Sequence, residues 1–499
     1  MPASDRPASS WQSILLLGVV GLAVAVAVIL ALRSGSEPTG RGPGSPTGEP
    51  MNVLVVVLDD VGADMVRAYP GSKDDIHTPT LDRLASKGIR FDSAYATPVC
   101  SPTRATLLTG RYGCRTLVGD IITVYAPNSE SGPQSTLEDS ELTLAEQLKA
   151  SDEMPVMTGA FGKAHLNDLE DDLFLAPNLR LGFDRYSGHV GNIGDTSSWE
   201  DPSNPYASVQ ETYHNWLHVV DGAQTPTTDY ATTRTTLDAA AWIPNQPGGT
   251  RWFGYVAYHS PHLPYHVAPP ELHTYTAQQL GATPTPRQMY LTMLESVDTE
   301  LGKLLDSIHF WERRDVTLIV MGDNGTPPAI SGDRRGKGTL YEPGIRVPLI
   351  VCGGAVPAPG VCTRLVQSVD VFATVLALMG LQPDSSRTID GKSFSPYLTA
   401  PGAAPIRQYV FSEQFNPAGF TGSTSGEKSQ RVVRDVRFKL IRTEDSTGAF
   451  TEEFYDLKAD PGEQKDLLPT WKGTKDPRQA DHARLQAEMD AILASAKSG

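Results

Sequence analysis

Cysteine is scarce in this chain. Four of its 499 residues, Cys100, Cys114, Cys352 and Cys362, are too few for a disulfide scaffold, and they lack the paired spacing of a zinc site. Cys352 and Cys362 flank a Gly/Pro-rich turn; they either pair outside the cytoplasm or remain free buried thiols. Positive charge is short too. The 42 Lys and Arg stand against 58 Asp and Glu, a formal charge of -16. That balance argues against a nucleic-acid binder and against global attraction of polyanions, so an anionic ligand needs a local cluster of positive groups.

Glycine (45) and proline (39) are plentiful, yet apolar residues still make up 39%, which points to many loops rather than disorder. The length favours two domains, one of them large. One uncharged apolar run stands out, residues 14–32. At ~1.5 Å per residue it reaches ~29 Å, close to the hydrocarbon thickness of a bilayer. A signal peptide is the alternative, but its apolar region usually ends in a small-x-small site, and this one ends Leu32-Arg33-Ser34. Residues 1–33 are therefore expected to be a membrane anchor or signal segment, and 34–50 a flexible Gly/Pro/Ser tether.

The chemistry gathers at the ends of apolar runs. Asn52–Leu58 lacks alternation, as expected of a strand buried on both faces in a parallel sheet, and it ends in Asp59-Asp60. Val316–Met321 is similar and ends in Gly322-Asp323-Asn324-Gly325. Open α/β sheets place their sites at such strand ends. Asp59, Asp60, Asp323 and Asn324 offer only oxygen donors, the preference of a hard divalent cation. Asn324-Gly325-Thr326 is also a glycosylation sequon, a competing reading. A third run, 252–258, leads into His259 and His262, and a strand ahead of Gly162 leads into Lys163 and His165.

Cys100 opens a predicted helix with Pro102 in its first turn and Gly110 at its end. Its N-terminus would turn unpaired N–H groups and roughly +0.5 charge toward an anion, with Arg104 one turn on. Further helices are expected at 80–88, 142–150, 285–308, 367–379 and 478–496, with Met289 and Met293 as core. Short antiparallel strands are expected at Val410-Phe411, Arg434–Ile441 and Phe454–Leu457. Residues 186–229, aromatic-rich and without a period, suggest either a pocket-shaping insertion or a structural loop.

The string Cys100-Ser101-Pro102-Thr103-Arg104-Ala105-Thr106-Leu107-Leu108-Thr109-Gly110-Arg111 resembles the signature of the type I sulfatases. Gly162-Lys163-Ala164-His165 resembles a second element of that family, with alanine where tryptophan usually stands. Ser260-Pro261-His262-Leu263-Pro264 resembles a third and points to His262 over His259. Arg335–Pro348 resembles a fourth, with Pro343 replacing a glycine; the C-terminal V-R-D-V-R-F-K-L-I and Y-D-L-K-A-D-P-G-E add a fifth.

The resemblance implies an α/β, alkaline-phosphatase-like fold: a large mixed sheet flanked by helices over 51–390, and a smaller C-terminal α+β domain built on an antiparallel sheet over 391–499. It implies hydrolysis of sulfate monoesters by a formylglycine (3-oxoalanine) made from Cys100, whose hydrate is the nucleophile. Calcium, or alternatively magnesium, would sit among Asp59, Asp60, Asp323, Asn324 and residue 100. Lys163, Lys337, His262, the cation and the helix N-terminus would neutralise the sulfate oxygens and orient the ester. Asp323 would accept the nucleophile's proton, His262 or Lys337 would protonate the leaving group, His165 would re-form the aldehyde, and Arg104 would hold the hydrate and the metal loop. The implied partners are a sulfated small molecule or glycan, a formylglycine-generating maturation enzyme and a membrane, with the catalytic domain extracytoplasmic or secreted. Two alternatives stay open: a phosphonate monoester or phosphodiester hydrolase of the same superfamily, and a sulfated-glycan binder without turnover.

Overall fold

A computed structural model of the chain describes residues 51–73, 75–122, 136–150, 155–166, 176–194, 211–415, 429–471 and 475–496. The apolar run at 14–32, the tether and Trp199 lie outside these. Among the described residues no helix is long and apolar enough to cross a membrane.

The chain begins with β1 (Asn52–Leu58), β2 (Ile89–Phe91), β3 (Ala94–Tyr95) and β4 (Val156–Lys163). It continues through β5 (Arg185–His189), β6 (Trp216–Val220), β7 (Ala223–Thr227) and β8 (Arg251–Ala257). Then come β9 (Val316–Gly322), β10 (Leu349–Gly353), β11 (Gly360–Cys362) and β12 (Val366–Gln367). Ten of these form one sheet in the order β11-β2-β10-β9-β1-β8-β4-β5-β6-β7. Its middle is parallel: β1 lies between β8 and β9, and β4 between β8 and β5. The remaining edges add antiparallel pairings, β10 with β9 and β2, and β5–β6–β7.

Helices cover both faces, and β1 shows why its sequence is apolar throughout. Successive strand side chains point to opposite faces. Val53, Val55 and Val57 pack with α2 (Cys100–Thr109), α3 (Leu144–Lys149) and α6 (Val369–Leu378). Leu54, Val56 and Leu58 pack with α1 (Pro79–Lys87), α4 (Ala231–Trp242) and α5 (Pro286–Ser307). Each such fully buried side chain contributes about 1.5–3 kcal/mol. In α5, Met293 is core as expected, but Met289 is only half-buried.

A second sheet, β13 (Val410–Gln414), β14 (Ser429–Arg434), β15 (Phe438–Glu444) and β16 (Phe450–Asp456), is antiparallel, and α7 (Gln479–Ala496) packs on it through Leu485 and Met489. The single strand expected over Arg434–Ile441 is in fact the end of β14, a reversal and the start of β15. Asp435 makes the turn, its Oδ1 accepting from the N–H groups of Arg437 and Phe438 at 2.6 Å each. The unpatterned stretch 186–229 includes most of β5 and all of β6 and β7. All four cysteines are free and buried, so Cys352 and Cys362 are not paired.

Candidate active site

Parallel neighbours end together, and that brings the sequence candidates to one sheet edge. Leu58 pairs with Gly322, and Val57 and Gly162 both pair with Ala257. The residues just beyond these pairs are Asp59-Asp60, Asp323-Asn324, Lys163 and the loop to His262. Asp60 takes a left-handed φ of 64°, a conformation aspartate tolerates better than most side chains. Its N–H donates to Asp323 Oδ1 at 3.0 Å, and Tyr290 OH donates to its carbonyl at 2.8 Å.

Asp59, Asp60, Asp323, Lys163 and Arg104 are buried, and Lys337 is half-buried. Lys163 Nζ donates to Asp59 Oδ2 at 2.6 Å, Lys337 Nζ lies 2.5 Å from Asp60 Oδ1, and Arg104 Nη2 donates to Asp323 Oδ2 at 2.8 Å. Arg104 also donates to the Lys163 carbonyl at 3.1 Å, so it braces two strand ends at once. Burial works against a charge on Asp59, yet Lys163, His262, Arg104 and Lys337 hold it well below the usual carboxylate range. Burial, with the Asp59 charge behind it, pushes Asp323 up to about 7. Burial also works against Lys337, but Asp60 and the other acids raise it above the ordinary lysine value.

Three oxygens here have no hydrogen-bond donor: Asp59 Oδ1, Asp60 Oδ2 and Asn324 Oδ1. A buried acceptor left so costs about 1–3 kcal/mol. A cation removes that cost, and an all-oxygen donor set suits calcium or magnesium. The residues therefore fit the implied ion. Asp59, Asp60 and His262 also bring one ligand atom each within 4.8 Å of one another, which adds His262 to the candidates. Asn324 is fully buried and donates to Asp60 Oδ1 at 2.8 Å, so the sequon it opens is not available to a glycan. Glycine is required next to it, because a Cβ on Gly325 would meet the Pro343 carbonyl at 1.9 Å.

Cys100 begins α2, whose N-cap, Val99, gives no side-chain cap. The first-turn N–H groups thus stay available to an anion. The Cys100 Sγ lies 3.2 Å from His165 Nδ1, and His165 Nε2 faces the Ile122 carbonyl at 2.9 Å. Burial pushes the thiol up and the imidazole well down. His262 directs Nδ1 to the Leu263 carbonyl at 2.9 Å and Nε2 to Asp60 Oδ2 at 4.0 Å. Burial, with Lys337 next, lowers it to about 4.

The sequence offered no sign of Tyr213, whose hydroxyl reaches the carbonyls of both His259 and His262 at 2.8 Å. It lies in the unpatterned stretch. His259, the histidine set aside in favour of His262, is buried with neither ring nitrogen hydrogen-bonded.

A family model, Sulfatase, matches residues 51–381. The chain belongs to the sulfatase family. That family comprises sulfuric ester hydrolases, and a second model, N-sulphoglucosamine sulphohydrolase, C-terminal, matches 334–491. This sulfatase is 29% identical to human (Homo sapiens) N-acetylgalactosamine-6-sulfatase over 70% of its own length and 66% of that protein's. It is 28% identical to human arylsulfatase A over 90% of each. Among solved structures it resembles Ps i-CgsB, with a TM-score of 0.70, 22% identity and coverage of 89% of this chain and 93% of that one. It also resembles BT4656 in complex with its substrate D-glucosamine-2-N,6-O-disulfate, with a TM-score of 0.69, 19% identity and coverage of 90% and 99%.

Proposed function

We propose that this sulfatase hydrolyses sulfate monoesters to an alcohol and inorganic sulfate, with Cys100 converted to formylglycine and calcium or magnesium among the strand-end oxygens. The observation that carries the reading is the convergence of Asp59, Asp60, Asp323 and Asn324 with Lys163, His165, His262 and Lys337 around the N-terminus of α2. Together the formylglycine and the cation would supply a hydrated nucleophile and a Lewis acid for the sulfuryl oxygens. Asp59, Asp60, Asp323 and Asn324 would hold the ion.

The chain's own residues do the rest. Lys163, Lys337 and the α2 N-terminus balance the anionic oxygens of the ester and orient it. Asp323 accepts the first proton released at residue 100. A carbonyl only accepts, so His165 Nε2 carries the hydrogen and Nδ1 presents its lone pair to residue 100. That nitrogen takes the second proton. His262 spends its Nδ1–H on Leu263 and stays neutral, which makes it an orienting acceptor. Lys337 is then the group with a proton to give to the leaving alcohol. Arg104 fixes Asp323 against Lys163.

A sulfated sugar is the first ester to test, since one relative is named for a sulfated N-acetylgalactosamine and BT4656 holds D-glucosamine-2-N,6-O-disulfate as its substrate. Maturation needs a formylglycine-generating partner, and the run at 14–32 supports a catalytic domain tethered outside a membrane or secreted. The deciding experiment is mass analysis of the 91–111 peptide from active protein, paired with rates on aryl sulfate and aryl phosphonate. Oxygen in place of sulfur at residue 100 and preference for the sulfate are expected. An intact thiol in active protein, or preference for the phosphonate, overturns the reading.

A further inference from the structure

The segment that carries Lys337 is held from the C-terminal sheet. Lys337 itself stands between Gly336 and Gly338, the latter at a φ of 84°, and its N–H donates to the Thr326 carbonyl at 3.0 Å. Glu342, five residues on, is the anchor. Its N–H donates to Glu463 Oε2 at 2.7 Å. Its Oε2 accepts from Tyr95 OH at 2.9 Å and from Arg434 Nη1 at 3.1 Å, and its Oε1 accepts from Lys439 Nζ at 3.2 Å. Lys439 Nζ also lies 2.7 Å from Glu463 Oε1, and both of those side chains are completely buried.

Two shorter ties complete the brace. Gly338 N–H donates to the Pro98 carbonyl at 2.8 Å, and Ser412 of β13 donates to the Ala96 carbonyl at 3.0 Å. The sheet therefore grips both the Lys337 loop and the residues that lead into Cys100. A set of two acids and two bases in which all but Glu342 are buried is a poor source of stability, because apolar side chains of similar volume do as well or better. What such a set does supply is a fixed position, since each group has partners in few arrangements.

We propose that Lys439 is a positioning residue for the reaction: through Glu342 and Glu463 it holds Lys337 at the leaving-group oxygen. The proposal rests on the assignment of Lys337 as donor to the leaving alcohol. Protonation matters most when the departing alkoxide is strongly basic and least when it is an activated phenolate. A displaced Lys337 therefore slows an alkyl sulfate more than nitrophenyl sulfate, whereas a smaller folded fraction slows both alike.

The test compares the two esters in the full chain for wild type, Lys439→Met and the charge-balanced Lys439→Met/Glu463→Gln. Leu440→Ala, an equally buried change on the opposite face of β15, serves as packing control. Both Lys439 variants are expected to lose at least about tenfold more kcat on the alkyl than on the aryl ester, with KM little changed, and Lys439→Arg is expected to recover part of it. Leu440→Ala is expected to lower Tm and to slow both esters by one factor. Should Lys439→Met not fold, the double variant decides. Equal loss on both esters in a folded double variant overturns the positioning role, and a wild type inert toward both overturns the reading beneath it as well.

Discussion

His165 donates from Nε2 to the Ile122 carbonyl at 2.9 Å, and this one bond turns its Nδ1 lone pair onto residue 100, 3.2 Å from Cys100 Sγ. The backbone bends for it: His165 sits at a φ of 55°, in the left-handed region. Burial, with Lys163 next, keeps the ring neutral, as the proposed role of base requires. The proposed second proton transfer is the step that frees sulfate. His165→Ala is therefore expected to release about one equivalent of alcohol per active site and then turn over about 10²–10⁴-fold more slowly. Rapid mixing with alcohol and sulfate measured separately reads this directly. Alcohol and sulfate appearing in step at all times would count against the assignment.

Chelation tests the oxygen-lined site. The unpartnered oxygens of Asp59, Asp60 and Asn324 favour a bound cation, which stabilises the fold by mass action, about 2.7 kcal/mol when its concentration is a hundred times Kd. Dialysis against a chelator should abolish turnover and lower Tm, and calcium or magnesium should restore both. Asn324→Ala removes one of the donors and should shrink the calcium-induced rise in Tm. Unchanged activity and Tm after exhaustive chelation would remove the ion from the mechanism.

The legibility of this site in the sequence follows from burial. Asn52–Leu58 and Val316–Gly322 read as strands because a strand covered on both faces has no solvent side to break its apolar run. That Asp60 and Asp323 touch is written in neither run. It follows from parallel pairing between segments 263 residues apart, which the family signature supplied and periodicity did not. The strands β5–β7 stayed hidden because they lie toward a sheet edge: β5 and β7 carry glycine, histidine and threonine in place of an apolar pattern, and β6, though apolar apart from His218, is only five residues long. Arg434–Ile441 looked continuous because one side chain, Asp435, makes its turn without glycine or proline. Tyr213 makes contacts that no local pattern announces; Lys439 stands inside V-R-D-V-R-F-K-L-I, but its partners Glu342 and Glu463 lie in other segments that the motif does not name.

Gly110 tests the account of α2. It ends the helix at a φ of 69°, its N–H donating to the Thr106 carbonyl at 3.0 Å, and a Cβ there would lie 2.6 Å from the buried ring of Phe372. Backbone strain adds to overpacking in Gly110→Ala, for a combined loss of about 2–4 kcal/mol. Denaturant unfolding measures it. A change within about 0.5 kcal/mol would mean that the α2–α6 contact is looser than drawn.

Glu413 gives the fold a pH dependence that is separate from catalysis. It is buried on β13, accepts from the Cys114 N–H at 2.7 Å, and burial pushes it from 4.5 up to about 7. Below about 4.5 the carboxyl is protonated in both the folded and the unfolded chain, so it adds no penalty. Between 4.5 and about 7 the folded state keeps a proton that the unfolded state has released, so stability falls as pH rises, and above that window the loss is complete. Glu413→Gln cannot titrate. Measured as unfolding free energy, wild type minus variant, the difference should fall by about 2–3 kcal/mol from pH ~5 to ~8. Arg431 Nε, 3.7 Å from Glu413 Oε2, opposes the shift, and if its charge dominated the difference would instead stay flat across that range.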